Sequence, residues 1–301
     1  MILVTGGAGV IGSRLVKGLV RRGNKVRVLA LPNDPRVSLL EGVNCEIVHG
    51  DVSNVATLDK VFEEVETVYH LAAIIIAYSK DIIWQINVEG TRNVVDKALA
   101  NGVRHFIYVS SAAVEWPEGS DYAQSKLAAE QIVKSQNSMY YTIVRPTLTY
   151  GYNEGQEFMM FIDSLKKSPV VFFVGSGRAK KSPVLADDVV KGLLEIANNP
   201  KTYGKIYNLS GGEEISIWDL ARLLLKCHGI SKPFIPVPIP ICRFVAFLME
   251  KTMKRPFLTK YAISRILQEA ALDSSAAKQD LAYNPVGVRE GLQKCYSFQK
   301  K

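Results

Sequence analysis

The stretch TGGAGVIGS, residues 5–13, decides how this chain is read. It follows a short apolar run, ILVTG (2–6), and opens VIGSRLVKGLVRRG (10–23), whose apolar residues recur at helical spacing. Gly6, Gly9 and Gly12 stand three residues apart. In such a turn one glycine permits the sharp bend, one lets the backbone approach a pyrophosphate, and one lets helix pack closely on strand. The free N–H groups and the positive dipole end of the helix then face the phosphates. A glycine triplet alone is a weak signal. Placed between strand and helix, it predicts a dinucleotide-binding turn.

The rest of the first half repeats the alternation. KVRVLAL (25–31), CEIVHGD (45–51), TVYHLAA (67–73), HFIYVSS (105–111) and YYTIVRP (140–146) read as strands. VATLDKVFEEV (55–65), TRNVVDKALANG (91–102) and YAQSKLAAEQIVKS (122–135) read as helices. This alternation predicts an α/β fold, a doubly wound parallel Rossmann sheet covered on both faces. Past Arg145-Pro146 the pattern loosens, although 185–200 and 215–229 are amphipathic helices, the second with Ser216 as N-cap and Gly229 as C-cap. The expected division is an NAD(P)-binding domain over 1–150, to which 182–210 returns, and a smaller C-terminal substrate-binding domain over 151–181 and 211–301.

With 301 residues, 48% hydrophobic and 22% charged, the chain has globular composition. Cys45, Cys227, Cys242 and Cys295 form no CxxC and read as reduced thiols. The four histidines lack spaced partners, so no metal site is expected. Met1 leads straight into the first strand, and a cytoplasmic location is expected. The net charge of +8 is uneven: residues 1–225 hold 24 basic and 24 acidic side chains, residues 226–301 hold 13 and 5. The excess points to an anionic partner, either a phosphorylated substrate or an acidic membrane surface. No nucleic-acid-binding motif accompanies it, so no nucleic acid is expected. PFIPVPIPICRFVAFLMEK (233–251) is apolar but broken by four prolines and Arg243, and too short to span a bilayer. It reads as a buried or substrate-facing helix, or as one resting on a membrane beside Lys251, Lys254, Arg255 and Lys260.

Two Tyr-x-x-x-Lys matches occur, YAQSK (122–126) and YSFQK (296–300). Oxidising a secondary alcohol requires a base for its proton and a coenzyme for its hydride. A free tyrosine, with a pKa near 10, is a poor base at neutral pH, and a nearby ammonium favours its phenolate. Residues four apart share a helix face, so Tyr122 and Lys126 point together. YSFQK lies in a chain terminus with no strand-end serine before it, and is not expected to be catalytic.

The glycine turn, Asp51-Val52, Leu71-Ala72-Ala73, Asn87, Ser110-Ser111, YAQSK and RPTLTYG, in that order, resemble the extended short-chain dehydrogenase/reductases. SPVLADDVV, YNLSGGEEIS and AAKQDLAYNPVGVREGL resemble the C-terminal segments of nucleotide-sugar epimerases and dehydratases, and 233–260 resembles the 3β-hydroxysteroid dehydrogenase and flavonol-reductase branches. The resemblance implies an NAD(P)-dependent enzyme with catalytic Ser111, Tyr122 and Lys126. It implies coenzyme contacts from Gly6, Gly9, Val10, Ile11, Gly12, Asp51, Val52, Leu71, Ala72, Ala73, Asn87, Lys126 and Pro146. Lys126 would hold the nicotinamide ribose, Asp51 the adenine, and Ser111 the substrate oxygen. Ser111, Tyr122, Thr147 and Lys181 would touch substrate. A homodimer through the helices containing 91–100 and 122–135 is also implied.

The chain departs from the family pattern in places. The second strand ends at Ala30-Leu31, with neither the acidic residue of NAD enzymes nor the arginine of NADP enzymes. Lacking a basic residue there, the strand end points to NAD, with NADP the alternative; Asn33, Asp34 and Arg36 follow in the loop. Only ten residues separate Ser111 from Tyr122, where related sugar enzymes carry a longer loop, and Glu115-Trp116 replaces their aromatic-glycine pair. Ala112-Ala113 follow Ser111 where a dehydratase would need an acid. The expected activity is a nucleotide-sugar epimerase working through a keto intermediate. The alternative is a dehydrogenase of a hydrophobic alcohol. A silent coenzyme-binding scaffold is a third reading, against which the intact Tyr–Lys pair speaks.

Overall fold

The computed structural model describes residues 1–118, 120–151, 155–253 and 258–296, which divide into two compact units. Unit 1 comprises Met1–Pro146, Ala186–Leu209 and Asp273–Asn284; unit 2 comprises Thr147–Leu185, Ser210–Leu272 and Pro285–Lys301.

Unit 1 begins with β1 (Ile2–Thr5), α1 (Val10–Arg21), β2 (Val26–Ala30), β3 (Glu46–His49) and β4 (Thr67–His70). It continues with α2 (Lys80–Trp84), α3 (Gly90–Ala100), β5 (His105–Val109), α4 (Asp121–Ser135) and β6 (Tyr140–Pro146). Unit 2 then takes β7 (Thr149–Tyr150), α5 (Gln156–Lys167), β8 (Val171–Val174), β9 (Lys180–Lys181) and β10 (Val184–Leu185). The chain returns to unit 1 for α6 (Ala186–Leu194) and β11 (Lys205–Leu209). Unit 2 resumes with β12 (Ile215–Ser216), α7 (Ile217–Cys227), β13 (Phe234–Val237), α8 (Ile239–Thr252) and α9 (Lys260–Leu267). Last come α10 (Ser275–Leu281) in unit 1 and α11 (Val288–Tyr296) in unit 2.

Among the described residues the sheet of unit 1 has seven strands in the order β11-β6-β5-β4-β1-β2-β3, every pair parallel. This is the doubly wound Rossmann arrangement, and the order reverses between β1 and β4. β1, β2, β4 and β5 are buried at every position, as a parallel sheet covered on both faces requires. α1 buries Leu15, Val16 and Leu19. One expected helix is absent: 55–65 forms a short 3₁₀ helix, Val55–Leu58, followed by turns. Arg27 of β2 donates to the carbonyls of Val61 (3.0 Å) and Glu63 (2.7 Å), and the first of these would have accepted from Val65 N–H in an α-helix over 55–65. Glu64 also sits at φ 60°, outside the helical region. Leu58, Val61, Phe62 and Val65 reach the core from these turns nonetheless.

Residues 273–284, expected in the substrate domain, sit in unit 1. The Asp280 carboxylate accepts from Lys205 (2.7 Å) and from the Tyr207 hydroxyl (2.8 Å), both on β11. Unit 2 is built from two-stranded pairs, β7 with β10, β9 with β12 and β8 with β13. Its main core joins Tyr150, Phe158, Phe173, Leu220, Leu224 and Leu292, and a smaller one joins α8 to α9 through Cys242, Ala246 and Ile263.

A buried ion pair ties α4 to β6. Glu130, with no exposed side-chain area, accepts from Arg145 Nε (2.8 Å) and Nη2 (2.7 Å), and Arg145 also meets Glu115. Burial by itself raises the Glu130 pKa, but the hydrogen bonds from Arg145 and the charges of Arg145 and Lys134 outweigh it, and the net shift is downward. A carboxylate held below its unfolded value contributes stability that is complete above about pH 4.3 and lost as pH falls through the folded value. Glu130→Gln leaves Arg145 half-paired, and we expect urea unfolding at pH 7 to report a loss on the order of 3 kcal/mol. The difference from wild type should shrink below pH 4.

Candidate active site

The glycine turn joins β1 to α1. Gly6 lies at φ 68°, and a Cβ there would stand 2.8 Å from the Ala72 nitrogen. A Cβ on Gly12 would stand 2.2 Å from the Gly6 carbonyl oxygen, whereas Gly9 meets only that oxygen, at 3.2 Å. Gly9 is the N-cap of α1 and makes no side-chain cap, and no acidic residue occupies the first turn, where Val10 and Ile11 stand. The unsatisfied N–H groups there fit a dinucleotide pyrophosphate.

On the adenosine side, Ala30 is buried at the end of β2 and Leu31 is exposed. Asp34 grips Arg36 with both oxygens (2.9 and 2.8 Å) and caps the next 3₁₀ turn. The hydrogen bond from Arg36 lowers the Asp34 pKa, and Asp34 raises that of Arg36. Each charge is thus met locally. Asp51 accepts from the Ser53 backbone (2.9 Å) and hydroxyl (2.8 Å), and the buried Val52 gives its carbonyl to Asn93 (2.9 Å). Leu71, Ala72 and Ala73 leave β4 beside Gly6, with Ala72 N–H donating to Thr5 Oγ1 (3.3 Å).

The catalytic candidates lie where β5 ends and α4 begins. Ser111 follows β5 and accepts from Ala113 N–H (3.1 Å). Ser120 caps α4, accepting from Ala123 N–H (3.1 Å), so Tyr122 falls in the first turn and Lys126 one turn later. Lys126 is fully buried. Its ammonium donates to the Val109 carbonyl (2.8 Å) and lies 4.2 Å from the centre of the Tyr108 ring. Burial pulls its pKa down to about 7, against the opposing pull of Glu130. Tyr122 is half-buried.

A hydrogen-bonded chain braces this helix. Asn87 accepts from Ile74 N–H (2.8 Å) and donates to the Ile74 carbonyl (2.9 Å) and to Ser125 Oγ (3.0 Å), which donates to the Tyr122 carbonyl (2.8 Å). The Thr91 hydroxyl donates to the Asn87 carbonyl (2.6 Å) and meets His70 Nε2 (3.0 Å), while His70 Nδ1 meets Thr5 Oγ1 (2.7 Å). Burial first, then the Lys126 charge, lowers the His70 pKa to about 3, so the ring is neutral. Pro146 ends β6, paired with Leu209 of β11.

In unit 2, the Thr147 hydroxyl donates to the Ser182 carbonyl. Lys181 donates to the carbonyls of Arg265 (3.0 Å) and Gln268 at the end of α9. Burial, then the charge of Arg265, lowers its pKa to about 8. Lys180 pairs with Glu214 (3.2 Å). Of YSFQK, Tyr296 is buried against His228 at the end of α11, and the lysine lies outside the described residues.

The reading by motif passed over Glu130 and His70. Glu130 is four residues beyond Lys126, the same spacing that joins Lys126 to Tyr122, so helix periodicity was the available signal. His70 sits directly before the Leu-Ala-Ala segment, but its threonine partners come from β1 and α3, which spacing does not join.

Fold and site together define an NAD-dependent enzyme of the extended short-chain dehydrogenase/reductase type. Residues 2–210 match the NAD dependent epimerase/dehydratase family, and the chain belongs to that family. It is 25% identical over 335 residues to a 3 beta-hydroxysteroid dehydrogenase/Delta 5-->4-isomerase of Mycobacterium tuberculosis, covering 99% of this chain and 90% of that one. It is 26% identical over 325 residues to the 2-alkyl-3-oxoalkanoate reductase of Stenotrophomonas maltophilia, covering 97% of each. Among solved structures it is similar to a UDP-glucose 4-epimerase of Thermotoga maritima, with TM-score 0.77 and 23% identity over 99% of this chain and 98% of that one.

The buried lysine sets a pH test. Its folded pKa, about 7, lies below the unfolded value of about 10.4, so between these values the unfolded chain holds a proton that the folded chain has released. Wild-type stability on this account rises with pH through that window. Lys126→Met removes the buried charge, and its gain in melting temperature should be largest at and below pH 7 and shrink toward pH 10. A gain that stays constant across the range would contradict the assignment.

Proposed function

We propose that this enzyme is an NAD-linked dehydrogenase or reductase acting on a secondary alcohol or ketone of an apolar substrate. The observation that carries this reading is the engagement of Lys181. The resemblance implies that this lysine touches substrate, and a nucleotide sugar would need its positive charge, yet its ammonium is occupied by two carbonyls and its charge is weakened by burial. Lys180 is neutralised by Glu214. The relatives named for a 3 beta-hydroxysteroid and for a 2-alkyl-3-oxoalkanoate, the first apolar and the second an alkyl-substituted keto acid, align over nearly the whole chain, which supports an alcohol or ketone on a largely hydrocarbon frame. The likeness to the sugar epimerase, at 23% identity, carries the fold only.

NAD, when bound, supplies the acceptor for the hydride leaving the carbinol carbon. The chain's own residues handle the proton and the alignment. Ser111, whose oxygen already accepts from Ala113, keeps its O–H to donate to the substrate oxygen. Tyr122 takes the alcohol proton as phenolate. Lys126, one turn along the same face, would favour that phenolate electrostatically and would hold the coenzyme ribose. Asn87 and Ser125 fix the backbone of Tyr122 to that of Ile74, the residue after the Leu-Ala-Ala segment.

The test is net NADH formation by purified enzyme on a 3β-hydroxysteroid and on medium-chain secondary alcohols, with UDP-glucose in parallel. NADH should appear with an apolar alcohol, and Tyr122→Phe should lower kcat about 10²–10⁴-fold. Conversion of UDP-glucose to UDP-galactose without net NADH would establish the nucleotide-sugar reading instead. Full activity in Tyr122→Phe would remove the tyrosine from the mechanism.

A further inference from the structure

Helix α8 (Ile239–Thr252) is apolar on two faces, and among the described residues only one of them is covered. Cys242, Ala246 and Met249 are buried, the first two packing with Ile263 of α9. Ile241, Phe244, Val245 and Leu248 recur at positions i, i+3, i+4 and i+7 of the other face, and are 52%, 62%, 38% and 44% exposed. An exposed apolar stripe of this kind marks an interaction surface.

The charge around the stripe is one-sided. Lys251 and Lys260 hold their ammonium groups 4.4 and 5.4 Å from the centre of the Phe247 ring. Arg243 is exposed on the same helix. Between residues 239 and 268 the only acidic residue in the sequence is Glu250, against six basic ones, Lys254 and Arg255 lying outside the described residues. The Glu250 carboxylate accepts from the Lys260 backbone N–H (2.8 Å) at the start of α9. At 14 residues α8 is about 21 Å long, and among the described residues no helix is long and apolar enough to cross a membrane. A short helix with a bare apolar stripe and basic flanks fits the plane of a bilayer interface. A second copy of this chain fits less well, because an isologous contact would set this basic cluster against itself.

We propose that α8 docks this protein on an anionic lipid bilayer. Ile241, Phe244, Val245 and Leu248 enter the boundary between headgroups and acyl chains, and Arg243, Lys251 and Lys260 meet the lipid phosphates. The proposal stands apart from the identity of the substrate, since vesicle binding requires no turnover.

The experiment is cosedimentation of the full chain with vesicles of phosphatidylcholine mixed with phosphatidylglycerol, and with vesicles of phosphatidylcholine alone. Wild type should bind the mixed vesicles and release them as salt is raised. Phe244→Asp with Leu248→Asp replaces exposed groups, so circular dichroism and melting temperature should stay at wild-type values while binding falls about tenfold or more. Lys251→Ala should weaken binding about fivefold. The proposal is overturned if wild type ignores the mixed vesicles, or if the double variant is folded and binds them as wild type does. It is also overturned if the double variant converts a wild-type dimer to monomer in light scattering while neither form binds vesicles. The face would then join two copies of the chain.

Discussion

A lysine ammonium cannot lie in an apolar interior without partners, and the organisation of unit 1 around α4 follows from that constraint. Lys126 is fully buried between α4 and the sheet, where its ammonium meets the Val109 carbonyl and the face of Tyr108. Glu130, one turn further along the helix, offsets part of the desolvation and is itself held by Arg145 of β6. The helix is therefore fastened to β5 by one charge and to β6 by another. Its register on the sheet is set by polar groups as much as by Ala129 and Val133, which pack in the core below. Tyr122 inherits its position from this docking.

The second brace is the run of hydrogen bonds from Thr5 through His70 and Thr91 to Asn87 and Ser125. It joins the strand that leads into the phosphate turn, the strand beside it and the helix that carries the Tyr–Lys pair. A neutral imidazole suits the middle of such a run, because one nitrogen donates while the other accepts. Burial secures that neutral form down to acidic pH. The glycine turn and α4 are in this way parts of one polar framework within unit 1.

In unit 2 two lysines close the ends of helices. Lys181 takes the carbonyls at the end of α9, and Lys232 takes the carbonyls of Leu165 (2.9 Å), Lys166 (2.6 Å) and Ser168 (2.6 Å) around the end of α5. Cations near the C-terminus of a helix are stabilised by its dipole and its unpaired carbonyls. A basic composition thus overstates how much positive charge this unit offers to an anionic ligand. The positive charge that faces solvent lies partly around α8, beside its bare apolar stripe.

The glycine turn, the strand–helix alternation and YAQSK are local patterns, and local patterns were enough to read the Rossmann sheet, the phosphate turn and the helix that carries Tyr122 and Lys126. Each depends on backbone geometry or helix periodicity within a few residues. The tertiary structure alone decided what those residues meet. Arg27, twenty-eight or more positions before the turns at 55–65, holds them by the carbonyls of Val61 and Glu63. α10 joined β11 through Asp280, Arg145 met Glu130, and Lys181 went to α9. A side chain's charge is written in the sequence. Whether that charge faces a ligand or closes a helix depends on partners distant along the chain, which only the folded arrangement brings within a hydrogen bond.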